Sequence, residues 1–445
     1  MSKLFGTDGV RGVANQELTP ETVFAIGRAH GYFLRQQHDR RPTVVVGRDS
    51  RLSGPMLEAA YVAGATSSGA DLILAGIIPT PGVAHLVQVL ECQGGAVLSA
   101  SHNPIADNGI KLFRADGYKL DDAQCREFEK LIARTAELPR PTGADIGQVL
   151  PSDNVAQIYR DYLGQKGQRL EGLKLVLDCA HGAACGHAAE VFAALGAEVV
   201  LLSSQADGNL INVKCGSTDL TQMAEAVVRQ GAALGLAFDG DADRCLAVDE
   251  QGQEIDGDHI MLILASWLKR QNKLAANLVV ATVMSNLGLE LALRQLGIEL
   301  VRAQVGDRYV LEEMQKAGAV LGGEQSGHIL LLDRSTSGDG ILTGLTLAGV
   351  LVESGLALSA LAQDMQRLPQ KLVNVPARNK ELLFSDAEIQ AGIEAMEKRL
   401  ESRGRILVRP SGTEPLVRVM VEGSDQSELD SVLDELASLL RDRLS

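Results

Sequence analysis

A chain of 445 residues is too long for one hydrophobic core and predicts about three or four domains with clefts between them. Hydrophobic residues make up 45% of the chain and charged residues 22%, a composition typical of folded globular proteins that excludes extensive disorder. The net charge is −15 and no run is rich in lysine or arginine, which argues against nucleic acid and anionic membranes as partners.

The cysteines and the N-terminal segment indicate a compartment. The six cysteines form no Cys-x-x-Cys pair and have no histidine at a zinc-like spacing, so free thiols in a reducing compartment are expected. Residues 1–12 are polar and glycine-rich, unlike a secretion signal, and no apolar run reaches the roughly 18 residues that a membrane span needs. The sequence therefore predicts a cytoplasmic protein.

Apolar, strand-like runs alternate with amphipathic, helix-like segments along most of the chain. The predicted strands are 43–46, 72–75, 96–99, 173–177, 198–202, 234–238, 278–281 and 319–321. The predicted helices between them include 21–36, 54–68, 188–195 and 287–296. This alternation predicts βαβ units with mainly parallel, buried strands, and three units of comparable length indicate a repeated α/β domain.

Two proline-bearing segments, 138–153 and 369–377, are candidate linkers. Beyond residue 370 the character of the chain changes. The predicted order there is strand 372–375, helix 386–401, strands 405–408 and 417–422, and helix 426–444. Two helices and a sheet that can be antiparallel predict a small C-terminal α+β domain.

The first chemical motif is Ser99-Ala100-Ser101-His102-Asn103-Pro104, which follows the predicted strand 96–99. A proline forbids helix here, so Ser101 is expected to present an exposed hydroxyl on a rigid turn, as a nucleophile requires. Lys111 follows closely and offers an amine for proton transfer or phosphate pairing. An ordinary Ser/Asn/Pro turn is the alternative.

The second motif is Asp239-Gly240-Asp241-Ala242-Asp243-Arg244, directly after the predicted strand 234–238. Three carboxylates at alternate positions of a tight loop converge on one hard cation and would repel each other without it. A calcium-binding EF-hand is rejected, because Arg244 stands where that loop needs glycine and a strand precedes it. The pattern predicts a magnesium site that bridges phosphate; a solvated acidic turn is the alternative.

Two further loops carry polar groups suited to a sugar and a phosphate. In Gly322 to His328, glycines permit close approach while Glu324, Ser326 and His328 offer donors and acceptors for hydroxyls; a structural loop with a satisfied core histidine is the alternative. In Arg409 to Pro415, an arginine with Ser411, Gly412 and Thr413 can cradle an anion, with Arg418 adding charge. A hairpin turn is the alternative there.

Two arginine segments near the first predicted strands, 6–12 and 47–51, are further glycine-loop candidates. Each could also be a solvated turn with a salt bridge. Of these arginines, Arg11 is the one expected near phosphate.

Taken in this order, the loops SASHNP, DGDADR, GGEQSGH and RPSGTEP resemble those of the α-D-phosphohexomutase family, and the resemblance extends over essentially the whole chain. It implies three similar α/β domains with mainly parallel mixed sheets and a smaller C-terminal α+β domain around a central cleft. The implied boundaries are 1–150 for a phosphoserine domain, 151–255 for a metal-binding domain, 256–368 for a sugar-binding domain and 369–445 for a phosphate-binding domain.

The resemblance also implies roles for single residues. Ser101 would be the phosphoserine and would bind Mg²⁺ through its phosphate together with Asp239, Asp241 and Asp243. Near the reacting groups would lie Lys111, Arg11, His102 and Arg244. Sugar and non-transferring phosphate would be bound by Glu324, Ser326, His328, Arg409, Ser411, Gly412, Thr413 and Arg418.

Three details resemble the branch of the family that acts on glucosamine phosphates: the opening 3–12, Ser99 in place of threonine, and Gln325 in the sugar loop. They imply an isomerase that interconverts glucosamine 6-phosphate and glucosamine 1-phosphate through glucosamine 1,6-bisphosphate, in bacterial peptidoglycan precursor synthesis. A homodimer is left open. The alternatives are a phosphomannomutase or phosphoglucomutase, a metal-dependent phosphatase, and a non-catalytic regulator that binds sugar phosphates.

Overall fold

The computed structural model describes residues 4–6, 8–411 and 415–444. By its internal packing the chain divides into two compact units. The larger unit comprises Met1–Thr282 with Ala303–Ala362, and the smaller comprises Val283–Arg302 with Gln363–Ser445.

The larger unit begins with a six-stranded sheet of order β1-β5-β4-β2-β3-β6. The elements of this segment are β1 (Val10–Val13), α1 (Pro20–Gln37), β2 (Thr43–Arg48), α2 (Gly54–Thr66), β3 (Asp71–Ile77), α3 (Thr80–Val89), β4 (Gly94–Leu98), β5 (Asp107–Arg114), α4 (Asp122–Ala133) and β6 (Val149–Leu150). The strands β2, β3 and β4 are parallel, whereas β5 is antiparallel to both β4 and β1. The antiparallel β5 was not among the predicted strands.

Helices α1 and α2 pack against each other at close range, and glycines permit this. A Cβ atom at Gly27 would meet the backbone of Tyr61, and one at Gly64 would meet the backbone of Phe24. Helix α1 begins where the Thr19 side chain accepts a hydrogen bond from the Thr22 amide, next to Pro20 in the first turn. The buried faces of α1, α2 and α4 share one apolar core with the sheet.

The second segment carries a five-stranded sheet of order β11-β10-β9-β7-β8. Its elements are α5 (Val155–Lys166), β7 (Lys174–Asp178), α6 (Ala188–Ala194), β8 (Glu198–Leu202), α7 (Thr221–Gln230), β9 (Leu234–Phe238), β10 (Cys245–Asp249) and β11 (Glu254–Ile255). Strands β8 and β9 run parallel to β7, while β10 returns antiparallel to β9. This hairpin between β9 and β10 places the three-aspartate loop at the end of a buried strand pair.

The third segment supplies further elements of the larger unit. Its elements are α8 (Gly257–Arg270), β12 (Leu278–Thr282), α9 (Leu287–Gln295), β13 (Glu299–Ala303), α10 (Asp307–Ala317), β14 (Leu321–Gly323), β15 (Ile329–Leu331), α11 (Gly340–Ser354) and α12 (Leu358–Ala362). Of these, α9 and the first four residues of β13 belong to the smaller unit. Strand β14 is parallel to β12 and antiparallel to β15. It begins at Leu321 rather than at 319, because the amides of Gly318 and Ala319 cap α10 by donating hydrogen bonds to the Met314 carbonyl.

The smaller unit contains a three-stranded antiparallel sheet of order β16-β18-β17. Its C-terminal elements are β16 (Gln370–Pro376), α13 (Leu382–Ser385), α14 (Ala387–Leu400), β17 (Gly404–Pro410), β18 (Leu416–Gly423) and α15 (Gln426–Leu444). Apolar side chains of this sheet, α14 and α15 form a core of their own. The predicted small α+β domain has this element order.

Both predicted linkers contain some regular structure. Residues 149–150 of the first form β6, which pairs with β3 at the edge of the first sheet. The second coincides with β16, whose seven residues all pair with β18. Pro376 lies in β16, an edge strand, where a missing N–H leaves no ladder bond unmade, so its proline did not separate this strand from a linker.

Within the part of the chain that the structure describes, no helix combines the length and the apolar character of a membrane span.

Candidate active site

Ser101 lies on the loop between β4 and β5. Its hydroxyl donates a hydrogen bond to Asp239 Oδ2 at 2.6 Å and lies 3.1 Å from His102 Nδ1. The sequence predicted an exposed side chain, but Ser101 is only 1% accessible, because the three-aspartate loop after β9 packs over it. Its backbone has φ +53°, a conformation that non-glycine residues rarely adopt. An ordinary solvent-facing turn is therefore excluded.

Asp239, Asp241 and Asp243 lie on the hairpin that joins β9 to β10. One oxygen of each carboxylate lies within 4.8 Å of one oxygen of the other two. All three side chains are buried, which contradicts the alternative of a solvated acidic turn. The left-handed backbone at Ala242, φ +55°, bends the loop between the last two carboxylates.

The group of charges around this hairpin includes a buried lysine. Lys111, on β5, donates to Asp241 Oδ2 at 2.8 Å and to Asp243 Oδ2 at 2.9 Å, and its Nζ lies 3.1 Å from Asp8 Oδ2. Burial alone would lower the pKa of Lys111, but the carboxylates of Asp241, Asp243 and Asp8 raise it well above its usual value. Lys111 is therefore a fixed cation.

Lys111 leaves part of the carboxylate cluster without a partner. Asp241 Oδ1 and Asp243 Oδ1 are buried and accept no hydrogen bond from the described residues. Burial, reinforced by Asp243 and Asp241, raises the pKa of Asp239 well above its usual range. Three buried carboxylates, two of them with an oxygen that accepts no hydrogen bond from the described residues, are the donor set that a hard cation such as Mg²⁺ prefers, so these residues fit such an ion.

Arg11, His102 and Arg244 lie around the same centre. Arg11 donates to Asn103 Oδ1 at 3.0 Å in the serine loop and pairs with Asp8. Burial, together with the charges of Arg244 and Arg11, lowers the pKa of His102 to about 4, so its imidazole is neutral near pH 7. The Arg244 amide donates to Asp239 Oδ1 at 3.2 Å. The structure thus brings together the four residues that were predicted near the reacting groups: Lys111, Arg11, His102 and Arg244.

The predicted sugar loop is the tight turn between β14 and β15. Glu324 Oε1 accepts from the Gly306 amide at 3.1 Å, and the Ser326 hydroxyl lies 3.5 Å from Glu324 Oε2. His328 is 4% exposed, and neither ring nitrogen has a hydrogen-bond partner among the described residues. It is therefore not the satisfied core histidine of the alternative interpretation, since buried ring nitrogens normally have partners.

A cavity of about 100 Å³ adjoins this loop. Charged side chains of Lys119 and Asp307 line it together with His328, and Lys119 Nζ lies 2.5 Å from Asp307 Oδ2. All residues that line the cavity belong to the larger unit. The lining can therefore offer both charge signs and an imidazole to a polar ligand.

Several residues of this site were missed by sequence reasoning. Asp8 pairs with Arg11, Lys111 and Lys119, and the Thr80 hydroxyl donates to Asp241. Asp8 lies in a glycine-rich segment that the sequence did single out, but Thr80, at the start of α3, carries no local signal. Its relation to Asp241, 161 positions away in the chain, exists only in the folded protein.

The predicted phosphate loop lies in the smaller unit, between β17 and β18. Arg409 stands opposite Arg418 in the strand register, and burial, with the charge of Arg418, lowers the pKa of Arg409. Ser411 is buried, and its carbonyl accepts from Lys380 Nζ at 2.7 Å, a lysine that the sequence analysis missed. Gly412 and Thr413 lie outside the described residues. Like charges in register favour an anion between them.

Comparison with known proteins identifies the family. Four family profiles match in order: phosphoglucomutase/phosphomannomutase alpha/beta/alpha domain I over residues 2–138, domain II over 155–252, domain III over 256–368 and the C-terminal domain over 372–439. The phosphoglucosamine mutase of Moorella thermoacetica is 54% identical over 435 residues, which are 97% of this chain and 98% of that protein. The chain belongs to the phosphoglucosamine mutase family.

A second relative agrees. The phosphoglucosamine mutase of Clostridium novyi is 50% identical over 447 residues, covering 100% of this chain and 99% of that protein. As a member of this family the chain is an isomerase that moves a phosphoryl group within a sugar phosphate, as the sequence predicted. The predicted fold class, three α/β domains with mixed sheets and a smaller α+β domain, is confirmed as well.

Solved structures show the same architecture. A phosphoglucomutase/phosphomannomutase family protein from Burkholderia thailandensis matches with a TM-score of 0.83 and 26% identity, over 100% of this chain and 99% of that one. An N-acetylphosphoglucosamine mutase from Aspergillus fumigatus, solved with GlcNAc-6P and magnesium, matches with a TM-score of 0.69 and 18% identity, over 99% and 96%. At 18% identity, the likeness to the fungal mutase shows only that the two chains share a fold.

Proposed function

We propose that Ser101 carries the phosphoryl group of the mutase reaction and exchanges it with glucosamine 6-phosphate and glucosamine 1-phosphate by way of glucosamine 1,6-bisphosphate. The observation that supports this most is the 2.6 Å hydrogen bond from the Ser101 hydroxyl to Asp239, within the buried three-carboxylate cluster. Among the described residues this is where a hydroxyl, a cation site and fixed positive charges coincide.

The metal of this proposal is Mg²⁺, held by Asp239, Asp241, Asp243 and the phosphate on Ser101. Free carboxylate oxygens in the cluster support it, and the fungal mutase above was crystallised with magnesium. When bound, the ion would neutralise charge on the transferring phosphoryl group.

The chain's own residues have separate tasks in this mechanism. In the first transfer the bond from phosphorus to Ser101 Oγ breaks and a bond to the sugar hydroxyl forms, so one proton has to pass from that hydroxyl to Oγ. His102, neutral near pH 7 and 3.1 Å from Oγ, is the proposed relay. Lys111, Arg11 and Arg244 would hold the phosphoryl oxygens by charge. The second transfer reverses these bond changes at the other end of the sugar.

Binding of the sugar phosphate is assigned to the two remaining loops. Glu324, Ser326 and His328 are proposed to contact the sugar, and the lack of a hydrogen bond from any described residue to either ring nitrogen of His328 supports this. The non-transferring phosphate is assigned to Arg409, Ser411, Gly412, Thr413 and Arg418. The fungal mutase crystallised with GlcNAc-6P supports a sugar phosphate as the ligand.

We assign the four roles to four domains: phosphoserine to 1–150, metal to 151–255, sugar to 256–368 and phosphate to 369–445. The four matched family profiles follow the same order. Synthesis of amino-sugar precursors for the bacterial cell wall, in the cytoplasm, is the proposed setting, since the relatives are bacterial phosphoglucosamine mutases.

Intact mass spectrometry tests the central proposal. Protein incubated with glucosamine 1,6-bisphosphate is expected to carry one phosphate that phosphatase removes and that maps to Ser101. Ser101→Ala is expected to lose the phosphate and to lower mutase turnover by at least about 1,000-fold, because the covalent donor is gone. Ser427→Ala, at an exposed serine, serves as control. Unchanged turnover in Ser101→Ala would refute the phosphoserine.

Substrate competition separates the proposed sugar from its rivals. Turnover of glucosamine 6-phosphate is expected to exceed that of glucose and mannose phosphates, and isomerisation is expected to exceed release of inorganic phosphate. Equal or faster glucose phosphate turnover would favour a phosphoglucomutase. Faster phosphate release would favour a phosphatase.

A further inference from the structure

We propose that Arg51 is the positioning residue of the serine loop: its guanidinium holds the loop backbone in the conformation that places the Ser101 hydroxyl against the three-aspartate cluster. The inference rests on the proposed role of Ser101. The sequence offered segment 47–51 only as a glycine-loop candidate or a solvated turn.

Arg51 is completely buried, and all five of its N–H groups are used. Nη2 donates to the Ser101 carbonyl at 2.9 Å and to the Asn103 carbonyl at 2.8 Å. Nη1 donates to the Pro104 carbonyl at 2.6 Å and to the Asp107 carbonyl at 2.9 Å. One side chain therefore bonds four carbonyls within the seven residues 101–107, from the serine loop to the start of β5.

The fifth N–H extends the network to the other side of Ser101. Nε of Arg51 donates to Asp49 Oδ2 at 2.9 Å, and the Ser99 hydroxyl donates to the same oxygen at 2.6 Å. Ser99 Oγ in turn accepts from the Ser101 amide at 2.9 Å. The amide and the carbonyl of Ser101 are thus both held by one buried group of side chains, directly or through Ser99.

These hydrogen bonds hold Ser101 in a backbone conformation that serine does not prefer. At φ +53° Ser101 lies in the left-handed region, which a serine leaves unless surrounding contacts impose it. The imposed conformation is the one in which Ser101 Oγ reaches Asp239. Because Arg51 has no free N–H left, it acts on the loop rather than on the phosphate.

The Ser101 carbonyl also lies against the three-aspartate loop. Asn212 Nδ2 donates to the Ser101 carbonyl at 2.9 Å, beside Arg51. A Cβ atom at Gly240, between two of the cluster's aspartates, would lie 2.5 Å from that carbonyl, so glycine is required for this approach. Displacing the Ser101 carbonyl would therefore disturb the distance from Ser101 to the aspartates.

Lysine cannot replace the planar, five-donor fork of Arg51, although it keeps the charge. In Arg51→Lys we expect kcat for glucosamine 6-phosphate to fall about 100-fold, the loss that a displacement near 1 Å can cause, while KM changes less than about twofold. The ratio of phosphate released to sugar isomerised is expected to rise, because a misaligned phosphoserine reacts more often with water. In a crystal structure of the variant, Ser101 should leave positive φ.

The matched control is Arg48→Lys, at the end of β2 three residues before Arg51, since the Arg48 guanidinium pairs with Glu58 and the Asp49 carbonyl instead. It is expected to keep kcat within about twofold. If Arg51→Lys fails to fold, Asn212→Gly replaces it: glycine tolerates the φ of +60° there and removes one donor to the Ser101 carbonyl. A drop in kcat without a change in KM or in melting temperature is expected.

Three results would overturn the proposal. One is an Arg51→Lys enzyme with kcat within about threefold of wild type. Another is a kcat loss that equals the loss of folded protein in a thermal melt. The third is Ser101 at unchanged φ in the variant crystal. Loss of activity in Ser101→Ala tests the proposed phosphoserine separately, so failure of one proposal is distinguishable from failure of the other.

Discussion

At the scale of single residues, charge compensation decides what the site can do. The three aspartates were recognisable in the sequence because alternate carboxylates on a tight loop have few other uses. The cation that compensates their negative charge was not recognisable, because Lys111 reaches Asp241 and Asp243 from another sheet. With Asp8 also paired to it, Lys111 is a cation for three carboxylates.

The first prediction concerns Lys111→Met in metal-free protein. We expect it to lower the free energy of unfolding by about 3–5 kcal/mol, because it leaves buried carboxylates without their cation. Urea unfolding in EDTA measures this. The control Lys398→Met removes an exposed lysine paired with Glu394 and should change stability by less than about 0.5 kcal/mol. Equal effects of the two variants would contradict the argument.

At the scale of elements, the site is assembled from loops at the ends of strands from different sheets. The loop after β7 packs on the three-aspartate loop after β9: the Ala183 amide donates to the Gly240 carbonyl at 2.8 Å. A Cβ atom at Gly182 would collide with the Gly240 backbone. Glycine at 182 is therefore required by the neighbouring loop rather than by its own φ.

The second prediction uses two glycines as a pair. Gly182→Ala is expected to lower mutase turnover at least about tenfold and to raise the Mg²⁺ concentration needed for half activity. The reason is that the added Cβ atom forces the three-aspartate loop to shift at Gly240. Gly164→Ala, in α5 with open space around its Cβ position, is expected to leave turnover unchanged and to add about 0.5–1 kcal/mol of stability. Steady-state kinetics and urea unfolding measure both. Normal Mg²⁺ dependence in Gly182→Ala would contradict the assignment.

At the scale of the whole molecule, the chain forms two compact units with separate cores. The core of the smaller unit is built from β16, β18, α14 and α15, with Leu436 among its fully buried side chains. Chains with more than one core commonly unfold in more than one step.

The third prediction is that thermal unfolding shows two calorimetric transitions. Leu436→Ala is expected to cost about 2–5 kcal/mol and to shift only one of them, the transition of the smaller unit. The matching variant in the larger unit is Leu57→Ala, a fully buried leucine on α2, which should shift the other. A single transition that both variants shift equally would show that the two cores unfold together.

Much of the fold could be predicted because its signals are local. The strands 198–202 and 234–238 and the helix 426–444 have the predicted bounds, since apolar runs and helical spacing are short-range patterns. The antiparallel strands β5 and β10 were missed, and strand β16, which contains Pro376, was taken for a linker. Strand pairing depends on residues far away in the chain, which a local pattern does not contain.

The sequence by itself determined the chemistry of this protein: which side chains are a hydroxyl, a carboxylate triad or an arginine loop, and the family to which their order belongs. The tertiary structure alone decided how they act on each other. It buries Ser101 against Asp239, gives the aspartates Lys111, and commits every N–H of Arg51 to the serine loop. The reason is physical, because burial and hydrogen-bond partners are properties of neighbours in space, and Ser101 and Asp239 lie 138 positions apart in the chain.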